Sequence, residues 1–172
     1  MSRIAALTDD QVPAAAEPLL KAVKAKMGKV PNAIRTLANS PAVLGGYLQL
    51  SGALAGGTLS AAQRESIALA TGQSNECSYC LSAHTLAGKG AGLSNEQIQD
   101  ARQGINNPVA SLAKQLVAKH GLISDSDLAQ ARANGLTEAQ IVEVIGGVAL
   151  NTLTNYLNHA AATEIDFPVV AV

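Results

Sequence analysis

The chain has 172 residues, 48% of them hydrophobic and only 15% charged, with a formal net charge of -1. That balance excludes a basic nucleic-acid-binding surface and an acidic disordered tail. Aromatics make up 2% of the chain (Tyr47, Tyr79, Tyr156 and Phe167, with no Trp), which removes base-stacking platforms and argues against a β-sandwich core. The sequence is rich in alanine, the best helix former. It holds no apolar run of the ~18 residues that a membrane span needs. Its start, Met1-Ser2-Arg3-Ile4-Ala5-Ala6-Leu7-Thr8-Asp9-Asp10, turns acidic before a signal-peptide core can develop. These features predict one all-α domain over residues 1–172, cytoplasmic, with neither membrane nor nucleic acid as a partner. Low charge with much small apolar surface implies that some of that surface is buried between subunits.

Leu7-Thr8 to Gln11 is the first of four Leu-[Ser/Thr]-x-x-Gln segments; the others run from Leu59-Ser60, Leu93-Ser94 and Leu136-Thr137 to Gln63, Gln97 and Gln140. Each is a capping box, in which the hydroxyl accepts from the N3 amide and the Gln reaches back to the cap amide. Helices are therefore expected to start near residues 9, 61, 95 and 138. Pro13 and Pro18 suit the first turn of a helix that runs to about Met27 and ends at Gly28. Val30-Pro31-Asn32 opens a short helix that stops before Ser40-Pro41. Pro41 opens another over 42–55, ended by Gly56-Gly57. The helix from Ala61 reaches about Gln73, a break follows near Ser74-Asn75-Glu76, and the next helix runs from about Cys77 to about Lys89. Asn107-Pro108 opens a helix to His120, Ser124 caps one to about Ala133, and a last helix covers roughly 152–163. The apolar tail 167–172 is expected to fray or to pack on a neighbouring subunit. No segment alternates with period two for long, so no strands are expected. A weak repeat at an offset of 77 aligns Leu59, Ala62, Gln63 and Tyr79 with Leu136, Ala139, Gln140 and Tyr156. Its second copy lacks the chemistry, since Glu65, Cys77 and Cys80 fall on Val142, Thr154 and Leu157.

The two cysteines, Cys77 and Cys80, stand as Cys-Ser-Tyr-Cys. The loop between them is too short to staple a secreted fold, so the spacing reads as redox chemistry or half a metal site. Zinc wants four ligands around a tetrahedron. Cys77, Cys80 and His84 on one helical stripe wrap a metal poorly, and there is no second Cys-x-x-Cys, so neither a metal nor another cofactor is expected. Offsets of three and four put the two sulfurs and the imidazole on one face. A cysteine in a first helical turn meets unpaired amides and the positive end of the helix dipole, which favour thiolate. Such a turn also brings its two sulfurs within disulfide reach. His84 is placed to take or relay the Cys80 proton. Glu65 lies on the preceding helix, and antiparallel packing turns it toward Cys80 and His84 as a proton-relay carboxylate. Its plainer alternatives are a solvated position or an ion pair with Arg64 or Arg35.

Other polar residues carry plainer readings. Tyr79 packs, with a hydroxyl able to orient a water. His120 suits a helix C-terminus. His159, with Asn155 and Tyr156, reads as helix packing or an interface contact. Glu76 is a first-turn carboxylate that raises the Cys77 thiol. The lysine row Lys21, Lys24, Lys26 and Lys29 reads as a solvated face, or as a docking patch for an acidic reductase.

The set Glu65, Cys77, Cys80 and His84, spaced as Glu, eleven residues, Cys-x-x-Cys-x-x-x-His, resembles the alkylhydroperoxidase D-like (AhpD-like) branch of the carboxymuconolactone decarboxylase superfamily. Gly28-Lys29-Val30-Pro31-Asn32, Arg35, Leu37-Ala38, Ser40-Pro41 and Tyr47 are similar to its peroxidase-related members. The resemblance covers roughly residues 20–105. It implies an all-α fold of about eight to ten helices, assembled as a homotrimer or homohexamer. It also implies a thiol-dependent alkyl hydroperoxide reductase that works through a cysteine sulfenic acid. Cys80 is then the peroxidatic thiol and Cys77 the resolving one, with His84 and Glu65 deprotonating Cys80 through a water. Tyr79 stands where the best-known member has a His between the cysteines. Members that decarboxylate or open lactones generally lack the cysteine pair. The implied partners are a hydroperoxide substrate and an external dithiol or disulfide reductase. Two other readings stay open: a redox adaptor passing electrons to a partner protein, and a helical binding protein whose Cys-x-x-Cys is vestigial.

Overall fold

In the computed structural model, which describes residues 2–172, the capping boxes set the helix starts. Ser60, Ser94 and Thr137 accept from the amides of Gln63, Gln97 and Gln140 at 3.1–3.2 Å, and those Gln side chains return to the cap amides. Ser124 forms a fifth box with Asp127 in place of Gln. The box at Thr8 opens only a single 3-10 turn, Asp9–Gln11. Val12 is extended there because Pro13 follows, and the proline ring disfavours helical geometry in the residue before it.

Nine α-helices and no strand occur among the described residues: α1 Glu17–Met27, α2 Asn32–Leu37, α3 Pro41–Ala55, α4 Ala61–Ser74, α5 Ser78–Gly90, α6 Asn95–Gln103, α7 Pro108–Ala118, α8 Asp125–Ala133 and α9 Glu138–Ala161. None is long and apolar enough to cross a membrane. Gly28 ends α1 in the left-handed conformation with φ 76°. α4 lies at the centre, packed by α5, α6, α7 and α9. This placement explains why Ser66 to Gly72 are all buried: the helix has neighbours on every side rather than one apolar stripe. Ile67, Leu69, Leu81, Val109 and Val144 form the heart of that core.

The expected pair of helices, one from 138 and one over 152–163, is a single α9 of 24 residues. Gly146 and Gly147 do not break it; they let it come close to its neighbours. A Cβ on Gly147 would sit 3.1 Å from Ile67 Cγ2, and one on Gly146 3.3 Å from Leu54 Cδ2. The proposed repeat therefore has no structural counterpart at the break: the chain folds back between α4 and α5 but runs straight on through α9. On α9, Tyr156 is exposed, Asn155 is buried, and His159 Nε2 meets the Asn75 carbonyl at 2.7 Å.

The C-terminal tail packs on its own chain rather than fraying. The Val170 amide donates to Ser82 Oγ at 2.9 Å, and Arg102 Nη2 donates to the Ala171 carbonyl at 2.8 Å. Tyr79 is its main clamp. The phenol accepts from the Ala33 amide at 3.0 Å and donates to Asp166 Oδ1 at 2.8 Å, while its ring meets Phe167 edge-on at 5.6 Å. Both hydroxyl roles are thus occupied by protein, in place of the water-orienting role open to it from sequence. Burial pushes this phenol well above its ordinary value. Lys29 leaves the solvated row to pair with Asp166 Oδ2 at 3.2 Å and to lie 4.0 Å over the Phe167 ring.

Glu143 on α9 holds the entry to α4. Its carboxylate accepts from the Thr58 amide at 2.9 Å, from Thr58 Oγ1 at 3.0 Å and from the Leu59 amide at 3.0 Å. Gly57 makes room for it, since a Cβ there would fall 2.8 Å from the carboxyl group. The Thr58 amide, first among these donors, holds the carboxyl below its ordinary range. The stabilisation is therefore full above that range and is lost as pH falls through the folded-state value. Glu143→Gln is expected to melt at a lower temperature than wild type near about pH 7, with the gap closing near about pH 3, in paired thermal denaturation curves. Tyr79→Phe leaves the buried Ala33 amide without its acceptor. It is expected to cost about 1–3 kcal/mol in urea unfolding and to speed hydrogen exchange at Val170.

Candidate functional site

The turn between α4 and α5 is built by backbone hydrogen bonding. The Asn75 amide donates to the Thr71 carbonyl at 3.0 Å, and the Cys77 amide donates to the Gly72 carbonyl at 2.9 Å. Glu76 occupies the left-handed region at φ 53°, which reverses the chain in a single residue. Cys77 then becomes the N-cap of α5, and its sulfur accepts from the Cys80 amide at 3.3 Å. The two helices run antiparallel, so Gly72 faces Cys80 and Glu65 faces His84. A Cβ on Gly72 would lie in van der Waals contact with Cys80 Cβ, at 3.4 Å.

Cys77 and Cys80 are joined in a disulfide, with Cα atoms 5.3 Å apart, and each is 2% exposed. One turn further along α5, His84 Nδ1 meets Glu65 Oε2 at 2.8 Å. The competing partners of Glu65 are engaged elsewhere. Arg35 Nη1 donates to Asp9 Oδ1 at 2.8 Å and to the Leu7 carbonyl at 2.9 Å, and Arg64 donates to the Leu59 carbonyl. With Nδ1 held by the carboxylate, Nε2 is the ring nitrogen left to exchange a proton.

A cavity of about 340 Å³ collects these groups: Cys80, His84 and Glu65 all line it. Its walls are otherwise largely apolar, with Met27, Ile34, Leu86 and Phe167 among them. Cys77 is not part of the lining, so the two sulfurs differ in access. Tyr47, Glu65 and His84 also line a second cavity of about 250 Å³, together with the charged Lys26, Arg64 and Glu143. Burial raises the Tyr47 phenol above its ordinary value, and the Glu65 carboxylate adds to this.

Sequence reasoning missed the face that α9 turns to this site. Asn151, Thr154, Asn155 and Asn158 are buried there. Asn75 Nδ2 donates to Asn155 Oδ1 at 2.8 Å, tying α9 to the turn before Cys77. Asn158 Nδ2 lies 3.4 Å from Cys80 Sγ. The signal was present: Asn151, Asn155 and Asn158 recur at offsets of four and three on an otherwise apolar helix. Buried amides at that spacing need partners.

Residues 41–105 match the model of the carboxymuconolactone decarboxylase family. Comparison with curated proteins finds no significant match. Among solved structures, the chain is similar to one described as an alkylhydroperoxidase AhpD core, an uncharacterized peroxidase-related protein from Ralstonia eutropha JMP134. The TM-score is 0.84 at 20% identity, covering 96% of this chain and 92% of that one. An uncharacterized peroxidase-related protein from Silicibacter sp. TM1040 matches with TM-score 0.77 and 20% identity, over 94% of this chain and 92% of that one. The debrominase Bmp8, in complex with 2,3,4-tribromopyrrole, matches with TM-score 0.76 and 15% identity, over 96% and 92%. The family match spans the helices that carry the cysteine pair, Glu65 and His84, and the AhpD-like fold extends over nearly the whole chain. The chain thus carries a stretch similar to the carboxymuconolactone decarboxylase family over residues 41–105, set within an AhpD-like fold.

Proposed function

We propose that this protein is a thiol-dependent hydroperoxidase that reduces organic hydroperoxides through Cys80 and Cys77. The observation that carries this reading is that Cys80, and not Cys77, opens onto an apolar cavity also lined by the hydrogen-bonded Glu65–His84 pair. In the dithiol form, His84 takes the Cys80 proton at Nε2, and the Glu65 carboxylate stabilises the resulting imidazolium. The thiolate attacks the distal oxygen of ROOH. An S–O bond forms, the O–O bond breaks, and the leaving alkoxide takes the proton from His84 to become ROH. Cys80 is now a sulfenic acid. Cys77 attacks the Cys80 sulfur, the S–S bond forms, and hydroxide leaves with the Cys77 proton as water.

An external dithiol restores the enzyme. One of its thiolates attacks Cys80 through the cavity and expels Cys77; its second thiol then releases Cys80 and leaves as a disulfide. Cys77 is suited to be expelled. At the N-cap of α5 its sulfur already receives the Cys80 amide, and the helix dipole favours negative charge there. Both sulfurs are buried, so a folded partner cannot bring its own sulfur into bonding contact without opening the site, which weighs against the adaptor reading.

The apolar walls favour a carbon-bearing peroxide over hydrogen peroxide, since each Å² of apolar surface buried contributes about 25 cal/mol. The same walls and the same dithiol favour one second reading, reductive dehalogenation of an apolar ring. There a C–Br bond becomes C–H, bromide and a proton are released, and the dithiol becomes a disulfide.

With one equivalent of cumene hydroperoxide, mass spectrometry is expected to show the two thiols becoming one disulfide, and a sulfenic acid trapped on Cys80 in Cys77→Ser. Cys80→Ser should lower dithiol-coupled kcat/KM by orders of magnitude, and Glu65→Gln by about 10²–10⁴-fold. Unchanged turnover in Cys80→Ser, or thiols inert to peroxide, would defeat the reading. Bromide release from a brominated pyrrole without peroxide turnover would establish the second one. Cumene hydroperoxide should exceed hydrogen peroxide in kcat/KM by about tenfold or more, a gap of about 1.4 kcal/mol.

A further inference from the structure

We infer that Asn158 is a further catalytic residue of this site: its amide N–H donates to the Cys80 sulfur, and its carbonyl oxygen accepts the O–H of the incoming hydroperoxide. The inference rests on the hydroperoxidase reading for its second half and on geometry alone for its first. Asn158 is 6% exposed, its Nδ2 lies 3.4 Å from Cys80 Sγ, and its side chain lines the cavity with Cys80, Glu65 and His84. Its Oδ1 is buried and has no hydrogen-bond partner among the described residues. An amide oxygen held out of water is costly unless something arrives to pair with it.

Neighbouring polar side chains on the same face of α9 are satisfied differently. Asn151 Nδ2 donates to the Gly147 carbonyl at 2.8 Å, and Thr154 Oγ1 donates to the Asn151 carbonyl at 2.9 Å, both within their own helix. Asn158 instead offers one end to the reactive sulfur and keeps the other unpaired. Asn155 accepts from Asn75 across the turn that delivers the cysteines and has a buried unpaired Nδ2 of its own, but it does not line the cavity. A leucine of similar size would fill the same space without either polar atom.

The chemistry follows from these two ends. Once Cys80 is ionised, the N–H donor is charge-assisted and stabilises the thiolate. The carbonyl holds the hydrogen of the distal oxygen, which sets that oxygen beside the sulfur. During attack the sulfur lone pair becomes the S–O bond and the O–O pair departs with the alkoxide, which His84 protonates. The distal hydrogen stays on its oxygen and becomes the sulfenic acid hydrogen, so Asn158 neither gains nor loses a proton. The other titratable groups lining the cavity are Glu65, His84, Tyr47, Tyr79 and Lys29, and none of them is hydrogen-bonded to the Asn158 side chain.

The test uses the full chain with Cys77→Ser, comparing Asn158, Asn158→Ala and the isosteric Asn158→Asp, each checked for fold by circular dichroism. Cys80 ionisation is read from the pH dependence of iodoacetamide alkylation, which needs no peroxide. Asn158→Ala is expected to raise the Cys80 pKa by about one unit, and Asn158→Asp by more. At a pH where Cys80 is fully ionised in every variant, the rate of sulfenic acid formation with cumene hydroperoxide should still be about tenfold lower in Asn158→Ala. An unchanged Cys80 pKa in both variants overturns the sulfur contact. A raised pKa with an undiminished rate at full ionisation overturns the role of the carbonyl. A parent protein that alkylates normally but never reacts with peroxide overturns the hydroperoxidase reading, while the alkylation arm still decides the sulfur contact. Should Asn158→Ala fail to fold, Asn158→Asp carries both readouts.

Discussion

The antiparallel packing of α4 against α5, with Gly72 beside Cys80, is what the site depends on. Glu76 reverses the chain in the left-handed conformation, and the Cys77 amide closes the turn on the Gly72 carbonyl. The two helices then lie antiparallel at short range, which brings Glu65 to His84, itself one turn along α5 from Cys80. A carboxylate and an imidazole 19 residues apart in the chain meet because a central, fully packed α4 leaves its partner helix little room to slide. Packing and chemistry here use the same residues: the apolar and small positions 66–72 that fill the core also fix the distance between acid and base.

The cysteines are three residues apart yet sit in different surroundings. Cys77 caps a helix and is enclosed by protein; Cys80 lies one turn inside and faces the cavity. The two sulfurs share one face and are equally buried, so the asymmetry lies in which of them borders the cavity. The pairing of Glu65 with His84 divides labour in a similar way, leaving one ring nitrogen bound and the other available.

Much of this was legible in the sequence because it is local. The boxes at Ser60, Ser94 and Thr137 fix helix starts within three residues of chain, and the stripe of Cys77, Cys80 and His84 needs only the helical repeat. Glu65 was within reach of the same logic once an antiparallel pair was assumed. The features that stayed hidden are those decided at long range. Pro13 cut the first box short, and the close approach of Ile67 and Leu54 to Gly147 and Gly146 is decided by packing between distant helices. Tyr79 gave no sign that its hydroxyl would be taken by Ala33 and Asp166, and Lys29 none that it would leave its row for Phe167. The α9 amides carried a readable spacing but an unreadable purpose, since their partners lie on a helix some eighty residues away in sequence.

The wall of the cavity reaches the site from far along the chain. Tyr79 and Asp166, whose hydrogen bond seats Phe167 against it, are separated by 87 positions. At ordinary elongation speeds that stretch takes on the order of ten seconds to emerge from a ribosome. A nascent polypeptide therefore displays its sulfur pair well before it can shelter it, and the newborn thiols meet whatever oxidants and reductants the surrounding fluid holds.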